Sequence, residues 1–385
     1  PPDFLEADNE SRFRFCTECM VKGTDINRRK LREALAELGD SLVLAGSKRK
    51  AKIDIHVDEP EEVFETARKF GSVSGEKADD MHRQQHATHG RKKRFAVIVD
   101  SAADISEADM ERLDIHMVPC RVQFGEHGYL DKVGITIDEF YHELENNPHH
   151  PTTSQPSPGD FRRQFQFLAS HFDDVVSINI MSGSSGTYDA ACLAASRTGA
   201  HGDIHVVDSR NGSLAQGQLA VLAAECAEAG LDAQRTVDLI EEQTLVTTSY
   251  VVLNDLRFAA RGGRLPLWVK TLADALHLTP IIYSSQEGKL SLSGLLVGRR
   301  NMIRRFARHV AKRAPTGPVE IGVGHAVCED DAKELERQLH ELIPDIRRSR
   351  ITGISPAIGV HAGPQALLVA VKPWLSAEDI ANRGN

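Results

Sequence analysis

Short apolar runs that alternate with helical patterns over residues 95–249 place the strongest constraint on the fold of this chain. Turn residues end each of the three runs, which span Phe95–Asp100, Val175–Ile180 and Ile204–Val207. Helical patterns lie between or after them, at Ser106–Arg112, Ile137–Glu145, Gly159–His171, Leu214–Gly230 and Ala233–Thr244. Strands that alternate with helices favour a parallel sheet covered on both faces. This part of the chain is therefore predicted to be a Rossmann-like α/β subdomain.

The pattern changes after Ser249, where apolar runs follow one another with short turns. We predict strands at Tyr250–Leu253, Thr279–Ser284, Lys289–Val297, Val319–Gly324 and Ala366–Val371. A basic helix, Arg299–Arg313, lies among them. Residues 250–385 are predicted to form a second α/β subdomain with a mixed sheet, and the cleft between the two subdomains is the expected binding site.

A polar segment over residues 81–94 separates this body from a small N-terminal module, residues 1–80. The segment ends in four cations, Arg91 to Arg94, and is predicted to be a linker. Strand patterns and helical patterns alternate in the module, which indicates a small ferredoxin-like α+β arrangement. Its predicted strands are Arg12–Val21, Ser41–Ala45 and Lys50–His56, and its predicted helices are Asn27–Leu38 and Glu61–Phe70.

Charge and hydropathy exclude several classes of protein. The net charge of −9 argues against general nucleic-acid binding. No apolar run approaches 18 residues, the length that a membrane span needs. The cysteines are scattered, which suits a reducing cytoplasm.

The basic helix is interpreted as a solvent-exposed charged face. The alternative is that it contacts an acidic partner or, transiently, an anionic membrane.

Three polar segments point to the binding of a small anionic group. The run Gly359-Val360-His361-Ala362-Gly363-Pro364 is predicted to hold His361 in a glycine-rich turn between two apolar runs. Three prolines keep Thr153 and Ser154 in an extended loop. Ser185 and Gly186 lie in a loop that joins a strand to a helix, where free backbone N–H groups and the helix dipole favour an anion. Ordinary turns and capping serines remain the alternative interpretation.

These segments, with others in the same order, resemble the DegV family of fatty-acid-binding (FakB-type) proteins from about Phe95 to Trp374. The chain departs from the family at Leu265-Pro266, where an isoleucine and a small residue are more usual. Further motifs that carry the resemblance are Phe95-Ala96-Val97-Ile98-Val99-Asp100-Ser101-Ala102-Ala103-Asp104, Val206-Val207-Asp208-Ser209, Gly262-Gly263-Arg264-Leu265, Thr279-Pro280-Ile281-Ile282 and Gly288-Lys289-Leu290.

The resemblance implies a long-chain fatty acid as ligand. Its carboxylate would be held by Ser185 with Gly186, by Thr153 or Ser154, and by His361. Arg264 would dock a kinase domain. The implied function is to present the bound carboxylate for ATP-dependent phosphorylation to an acyl phosphate. This chain would be the non-catalytic part, because it contains no Walker A loop and no kinase signature.

The N-terminal module resembles the middle, DAK-phosphatase-like part of the fatty acid kinase A proteins. Segments that carry this resemblance are Phe15-Cys16-Thr17-Glu18, Leu38-Gly39-Asp40-Ser41-Leu42, Lys52-Ile53-Asp54-Ile55-His56-Val57-Asp58 and Asp80-Met81-His82-Arg83-Gln84-Gln85-His86. The resemblance implies an ATP-binding kinase domain as partner, in the same chain or in another. Because the sequence starts without methionine, we expect that such a domain precedes Pro1 in the parent protein.

Cys16, Asp54 and His56 are a candidate zinc set in this module. Asp54 and His56 share one face of a strand, and thiolate, carboxylate and imidazole are zinc ligands. Asp54 stands where the kinase family carries histidine. A buried cysteine beside a surface strand pair is the alternative, and a purely structural or adaptor role for the module goes with it.

A second functional hypothesis is a serine-dependent acyl hydrolase, with Ser185 as nucleophile and His361 as base. No G-x-S-x-G elbow surrounds Ser185, and the sequence shows no acidic residue beside His361 to orient the imidazole.

Overall fold

A computed structural model describes residues 12–84, 93–199, 202–265, 270–271, 273, 275–276, 278–298 and 301–383. The first two residues of the predicted basic helix, Pro266 and residues 85–92 of the predicted linker lie outside these ranges. No helix in the described ranges is both long enough and apolar enough to cross a membrane. The chain divides into two compact units, of which the first holds the N-terminal module and the second nearly all of the remaining chain. The predicted boundaries at residues 80, 94 and 249 stay predictions.

The N-terminal unit has the order βαββαβ, so the predicted ferredoxin-like pattern is confirmed. Its four strands lie in the order β2-β3-β1-β4, and every neighbouring pair is antiparallel. The sequence did not predict β4 because this edge strand is polar and buries fully only Ala78. The elements are β1 (Phe15–Lys22), α1 (Arg28–Ala36), β2 (Asp40–Gly46), β3 (Lys50–Val57), α2 (Pro60–Arg68) and β4 (Ser72–Asp80).

The larger unit begins with the predicted parallel sheet, in the order β11-β10-β5-β6. A separate three-stranded sheet, in the order β8-β7-β9, was not predicted, because its strands are only three or four residues long. The strands of both sheets are β5 (Phe95–Asp100), β6 (Ile115–Val118), β7 (Arg121–Phe124), β8 (His127–Leu130), β9 (Thr152–Ser154), β10 (Asp174–Asn179) and β11 (Ile204–Asp208). The helices of this region are α3 (Glu107–Arg112), α4 (Ile137–Asn146), α5 (Pro158–Ala169), α6 (Thr187–Ser196), α7 (Ser213–Glu228) and α8 (Ala233–Thr244).

The second half of this unit contains the predicted mixed sheet, six strands in the order β14-β13-β12-β17-β15-β16. Only β15 and β16 run parallel, and the other neighbours are antiparallel. Its strands are β12 (Thr248–Val252), β13 (Leu278–Ser284), β14 (Leu290–Val297), β15 (Val319–His325), β16 (Ile346–Gly353) and β17 (Leu367–Pro373). Helices here are α9 (Leu256–Arg261), α10 (Met302–Ala311), α11 (Glu329–Leu342), α12 (Pro356–Ala362) and α13 (Ala377–Asn382).

Helix α7 lies between the parallel sheet and the mixed sheet. It contacts β5 and β10 on one side and β12, β15 and β17 on the other. Nearly all of its residues are buried, alanines and glutamines included. A helix covered on every side is apolar all round, which explains the weak amphipathic pattern of this segment in the sequence.

Buried aspartates fix the beginnings of α7 and α12. Asp104 accepts hydrogen bonds from the Ser213 hydroxyl at 2.6 Å and from the backbone N–H of Ser355 at 3.2 Å, and it pairs with Lys132 at 3.1 Å. Asp131 accepts from the backbone N–H of Ala357 and from the Ser101 hydroxyl. Burial raises the pKa of Asp131 to about 7. Both carboxylates lie where a helix leaves its first N–H groups unbonded.

The prediction that His361 lies in a glycine-rich turn is wrong, because residue 361 lies in the last turn of helix α12. The glycines serve close packing instead. A Cβ on Gly359 would lie 2.6 Å from Phe140 Cε1 and 2.8 Å from the Tyr141 hydroxyl. Gly363 ends the helix with φ +71°, and a Cβ there would lie 2.3 Å from Phe258. These contacts hold the helix that carries His361.

We predict that Gly359→Ala lowers the free energy of unfolding by about 1–3 kcal/mol, because the added methyl group overpacks the contact with Phe140 and Tyr141. Gly159→Ala is the matched control, since a Cβ there meets only the Ser157 hydroxyl, at 3.5 Å. Urea denaturation of both variants tests this. Equal stability of Gly359→Ala and the wild type would contradict the packing argument.

Candidate functional site

A cavity of about 480 Å³ lies in the larger unit, between the parallel sheet and the mixed sheet. This volume is typical of small-molecule sites. Side chains from the mixed sheet, from α12 and from the segments that follow the strands of the parallel sheet make most of the walls apolar. The apolar lining residues are Ala102, Cys120, Ile180, Met181, Val251, Leu253, Ala259, Ile282, Leu290, Ile354, Ala357, Ile358, Ala362 and Leu368.

One part of the lining is polar, and its members contact one another. The Thr153 hydroxyl lies 3.1 Å from His361 Nε2. The Ser185 and Thr187 hydroxyls are 2.8 Å apart. The Arg264 guanidinium donates to the carbonyl of Ser184 at 3.1 Å. These contacts bring β9, the loop before α6, the end of α9 and the end of α12 to one place.

Glycines allow these four segments to approach. A Cβ on Gly262 would lie 2.1 Å from His361 Nδ1, so only glycine fits at the end of α9. A Cβ on Gly186 would lie 2.4 Å from the side-chain oxygen of Gln155. The absence of a side chain at Gly262 and at Gly186 therefore lets the four segments of the polar lining lie in contact. Gly186 itself lines the cavity.

His361 is an uncharged hydrogen-bonding group at neutral pH. Burial, with smaller contributions from the positive charges of Arg264 and His150, lowers its pKa from 6.5 to about 4. Its Nδ1 is buried and has no hydrogen-bond partner among the described residues. A neutral imidazole carries one N–H and one acceptor nitrogen, so this ring can donate one hydrogen bond to a ligand.

Two carboxylates fix the base of the loop before α6. The buried Asp100 carboxylate accepts from the backbone N–H of Ile180 at 2.8 Å, and Asp208 accepts from that of Ser182 at 3.3 Å. Gly186 gives α6 no side-chain cap. Ser185, Gly186 and Thr187 line the cavity, so the positive end of this ten-residue helix lies at the polar lining, as the sequence predicted for a strand, loop and helix in this order.

The residues predicted to hold the carboxylate, Thr153, Ser154, Ser185, Gly186 and His361, all line this one cavity. Their role in binding stays a prediction. Arg264, predicted to dock a partner, lines the same cavity and is the one Lys or Arg among the described lining residues. Sequence reasoning missed Ser184, Gln155 and Thr187, although each lies within two residues of a predicted site residue.

The contact that a hydrolase needs is missing from the described residues. Ser185 and His361 each pair with a threonine rather than with each other. No carboxylate orients the imidazole, because Nδ1 has no partner. The polar lining therefore favours binding of an anion over nucleophilic catalysis.

The three residues of the predicted zinc set share one face of the N-terminal sheet. Cys16 pairs with His56 across β1 and β3, and the Cys16 thiol donates to Asp54 at 3.5 Å. His56 Nδ1 instead lies 3.5 Å from Asp40. Burial, then Asp54, raises the pKa of the Cys16 thiol to about 12.

The candidate ligand atoms of Cys16, Asp54 and His56 do not all lie within 4.8 Å of one another, whereas those of Asp174, Asp203 and His205 in the larger unit do. Zinc binding stays a prediction.

Family comparisons match both parts of the chain. A family model described as an uncharacterised protein of the DegV family matches residues 94–373. A second, described as the middle domain of proteins like fatty acid kinase A, matches residues 12–88. The DegV protein of Bacillus subtilis is 30% identical over 275 residues, which are 71% of this chain and 97% of that protein.

Solved structures give the same result for the larger unit. The crystal structure described as DegV, a fatty acid binding protein from Bacillus subtilis, has a TM-score of 0.66 at 29% identity and covers 74% of this chain and all of its own. A stearic acid-binding protein from Eubacterium ventriosum has a TM-score of 0.66 at 23% identity, covers 72% of this chain and 98% of its own, and shows the shared fold.

We predict that His361 makes folding depend on pH. Its pKa is lower in the folded protein than in the unfolded chain, so the folded protein binds fewer protons between about pH 6.5 and pH 4. Stability is therefore present above pH 6.5 and is lost as the pH falls through this window. His361→Gln should reduce the slope of unfolding free energy against pH by up to about 1.4 kcal/mol per unit. Chemical denaturation between about pH 7 and pH 4.5 measures it, and an unchanged slope would refute the burial argument.

Proposed function

This chain belongs to the DegV family, and we propose that it binds one long-chain fatty acid in the cavity of its larger unit. The observation that carries the proposal is an apolar cavity whose polar lining is gathered in one place. A carboxylate needs the hydrogen-bond donors of the polar lining, and an alkyl chain needs the apolar walls of the rest of the cavity. The description of the Bacillus subtilis relative as a fatty acid binding protein supports the same ligand.

The carboxylate would be held by several donors at once. Ser185, Thr153 or Ser154, and the neutral His361 supply side-chain hydrogen bonds, and the backbone at Gly186 adds the helix terminus. Arg264 supplies a positive charge on the same lining. Hydrogen bonds to a charged group are the stronger kind, which supports this part of the lining as the place for the carboxylate. Affinity would come mainly from the acyl chain, at about 0.8 kcal/mol per buried CH₂.

We further propose that the bound acid is presented to an ATP-binding kinase domain, in cis or in trans, for acyl phosphate formation. The match of residues 12–88 to the middle domain of proteins like fatty acid kinase A supports such a partner. The chain's own motifs supply no phosphoryl chemistry, since no Walker A loop or kinase signature occurs in the sequence.

The direct test is lipid extraction from the purified protein, followed by mass spectrometry and by titration of the delipidated protein with palmitate and oleate. We expect about one fatty acid per chain and saturable binding. A protein that carries no fatty acid and shows no binding on titration would refute the proposal. Turnover of acyl esters that is lost in Ser185→Ala would favour the hydrolase.

We predict that Ser185→Ala combined with His361→Ala weakens fatty acid binding with the fold intact, because each loses a hydrogen bond to the carboxylate worth roughly 1.5–3 kcal/mol. Fluorescence displacement titration measures the affinity. Ser196→Ala, at the far end of the same helix α6, is the matched control, since its hydroxyl donates to a helix carbonyl. Unchanged affinity in the double variant would disprove the assignment of the carboxylate end.

Arg264→Ala separates two roles of the arginine. If Arg264 docks the kinase, as the family resemblance implies, we expect slower acyl phosphate formation at unchanged affinity for the acid. The exposed Arg197→Ala is the control variant. Loss of binding instead would assign the guanidinium to the carboxylate, a role that its place on the cavity lining permits.

A further inference from the structure

The wall that the mixed sheet gives to the cavity contains a hydroxyl group among apolar side chains. Ser249 and Val251 both line the cavity, because alternate residues of β12 face the same side of the sheet. The residues that alternate with them, 250 and 252, pack in the core on the opposite face. The partners of Val251 on β13 and β17, Ile282 and Leu368, also line the cavity. Ser249 is therefore a polar position in an apolar part of the wall.

A buried hydrogen-bonded group fixes the Ser249 side chain. The Asn211 amide donates to the backbone carbonyls of Ser209 at 3.2 Å and Thr247 at 3.1 Å. Its side-chain oxygen is therefore an acceptor, and it accepts from the Ser284 hydroxyl. The Ser284 oxygen in turn accepts from the backbone N–H of Ser249 at 3.1 Å and lies 3.1 Å from the Ser249 hydroxyl. We name Asn211, Ser249 and Ser284 the Ser249 group, and all three residues are buried.

The side-chain hydrogens of this group are already committed. Because Ser284 gives its hydrogen to Asn211, the Ser249 hydroxyl must be the donor of the contact between the two serines. Its other acceptor, Asn211 Oδ1, lies 3.4 Å away and belongs to the same group. A hydroxyl oxygen carries two lone pairs, and no donor among the described residues is left to bind those of Ser249. Ser249 therefore offers the cavity a hydrogen-bond acceptor and not a donor.

An acceptor on an apolar wall discriminates between ligands. A methylene chain leaves the Ser249 oxygen unpaired, and an unpaired buried polar group costs free energy. A carboxylate or a keto oxygen is itself an acceptor, so it would have to take the Ser249 hydrogen away from Ser284. A hydroxyl group on the ligand brings the donor that this position lacks. Among the described residues, Ser249 forms no hydrogen bond with the polar lining around His361, so the two positions are separate.

We propose that Ser249 makes the cavity selective for long-chain acids that carry a hydroxyl group on the acyl chain. This inference rests on the proposed function and narrows its class of ligand. The carboxylate would bind at the polar lining, and the hydroxyl group on the chain would donate to Ser249. Apolar contacts allow an acyl chain to slide, whereas a second directional contact would fix its position along the cavity.

Titration of the delipidated full chain with stearate and with a series of hydroxystearates tests the inference. The series moves the hydroxyl group carbon by carbon along the chain. We expect one isomer, or two adjacent ones, to bind about three to ten times more tightly than stearate, which is the gain from one neutral hydrogen bond. Isomers whose hydroxyl group meets an apolar wall should bind more weakly than stearate. The oxostearate of the favoured carbon should also bind more weakly, because it adds a second acceptor.

Variants of β12 show whether Ser249 causes the preference. Ser249→Ala removes the acceptor, so the favoured hydroxystearate should bind no more tightly than stearate. Ser249→Thr keeps the oxygen and should keep the preference. Val251→Ala, on the same strand and the same face, is the matched control, and it should leave the ratio of the two affinities unchanged. A ratio of affinities measured in one protein does not depend on how much of that protein is folded, so lost stability cannot imitate the result.

Three results would contradict the inference while leaving the proposed function intact. These are stearate that binds as tightly as every hydroxystearate, an oxostearate that binds more tightly than its hydroxystearate, and a hydroxyl preference that survives in Ser249→Ala. The first would show that the ligand does not pair with Ser249, and the second would make Ser249 a donor. Absence of binding for every acid in the series would overturn the inference and the proposed function together.

Discussion

The buried carboxylate of Asp104 is the interaction on which the larger unit depends most. It accepts hydrogen bonds from the first residue of α7 and from the residue before α12, and it pairs with Lys132. Helix α7 is the layer between the two sheets, and α12 carries His361. One anchor thus fixes both sides of the cavity. An uncompensated charge at a fully buried site would be costly, so the amide, the hydroxyl and the ammonium group are all needed.

The position of this anchor also accounts for the division of the cavity into an apolar and a polar part. Asp104 and Asp131 hold α12 at its first turn, and His361 lies in its last turn, beside Arg264 and Thr153. Because burial keeps His361 neutral, Arg264 is the charged donor of the described lining, and the hydroxyls and the imidazole add neutral ones. That balance fits a single monoanion.

The sequence predicted much of the fold and less of the site. Alternation of strands and helices sufficed to predict the parallel sheet. Hydroxyl-rich motifs pointed to Thr153 and Ser185, which line the cavity and whose role in binding stays a prediction. Helix α12 was predicted as a turn, because Gly359 and Gly363 disfavour helix locally. Contacts with Phe140, Tyr141 and Phe258, distant in the sequence, override that preference. The cavity position of Arg264 likewise depends on tertiary packing, which local patterns do not contain.

The most direct measurement of the central claim is ¹³C NMR of carboxyl-labelled palmitate bound to the protein, followed as the pH is lowered. A carboxylate beside Arg264 and several donors should stay ionised below the ordinary carboxyl pKa of about 4.3, as one sharp bound resonance. A bound carboxyl group that titrates at or above that pKa would contradict the account, because it would place the headgroup in water or against an apolar wall.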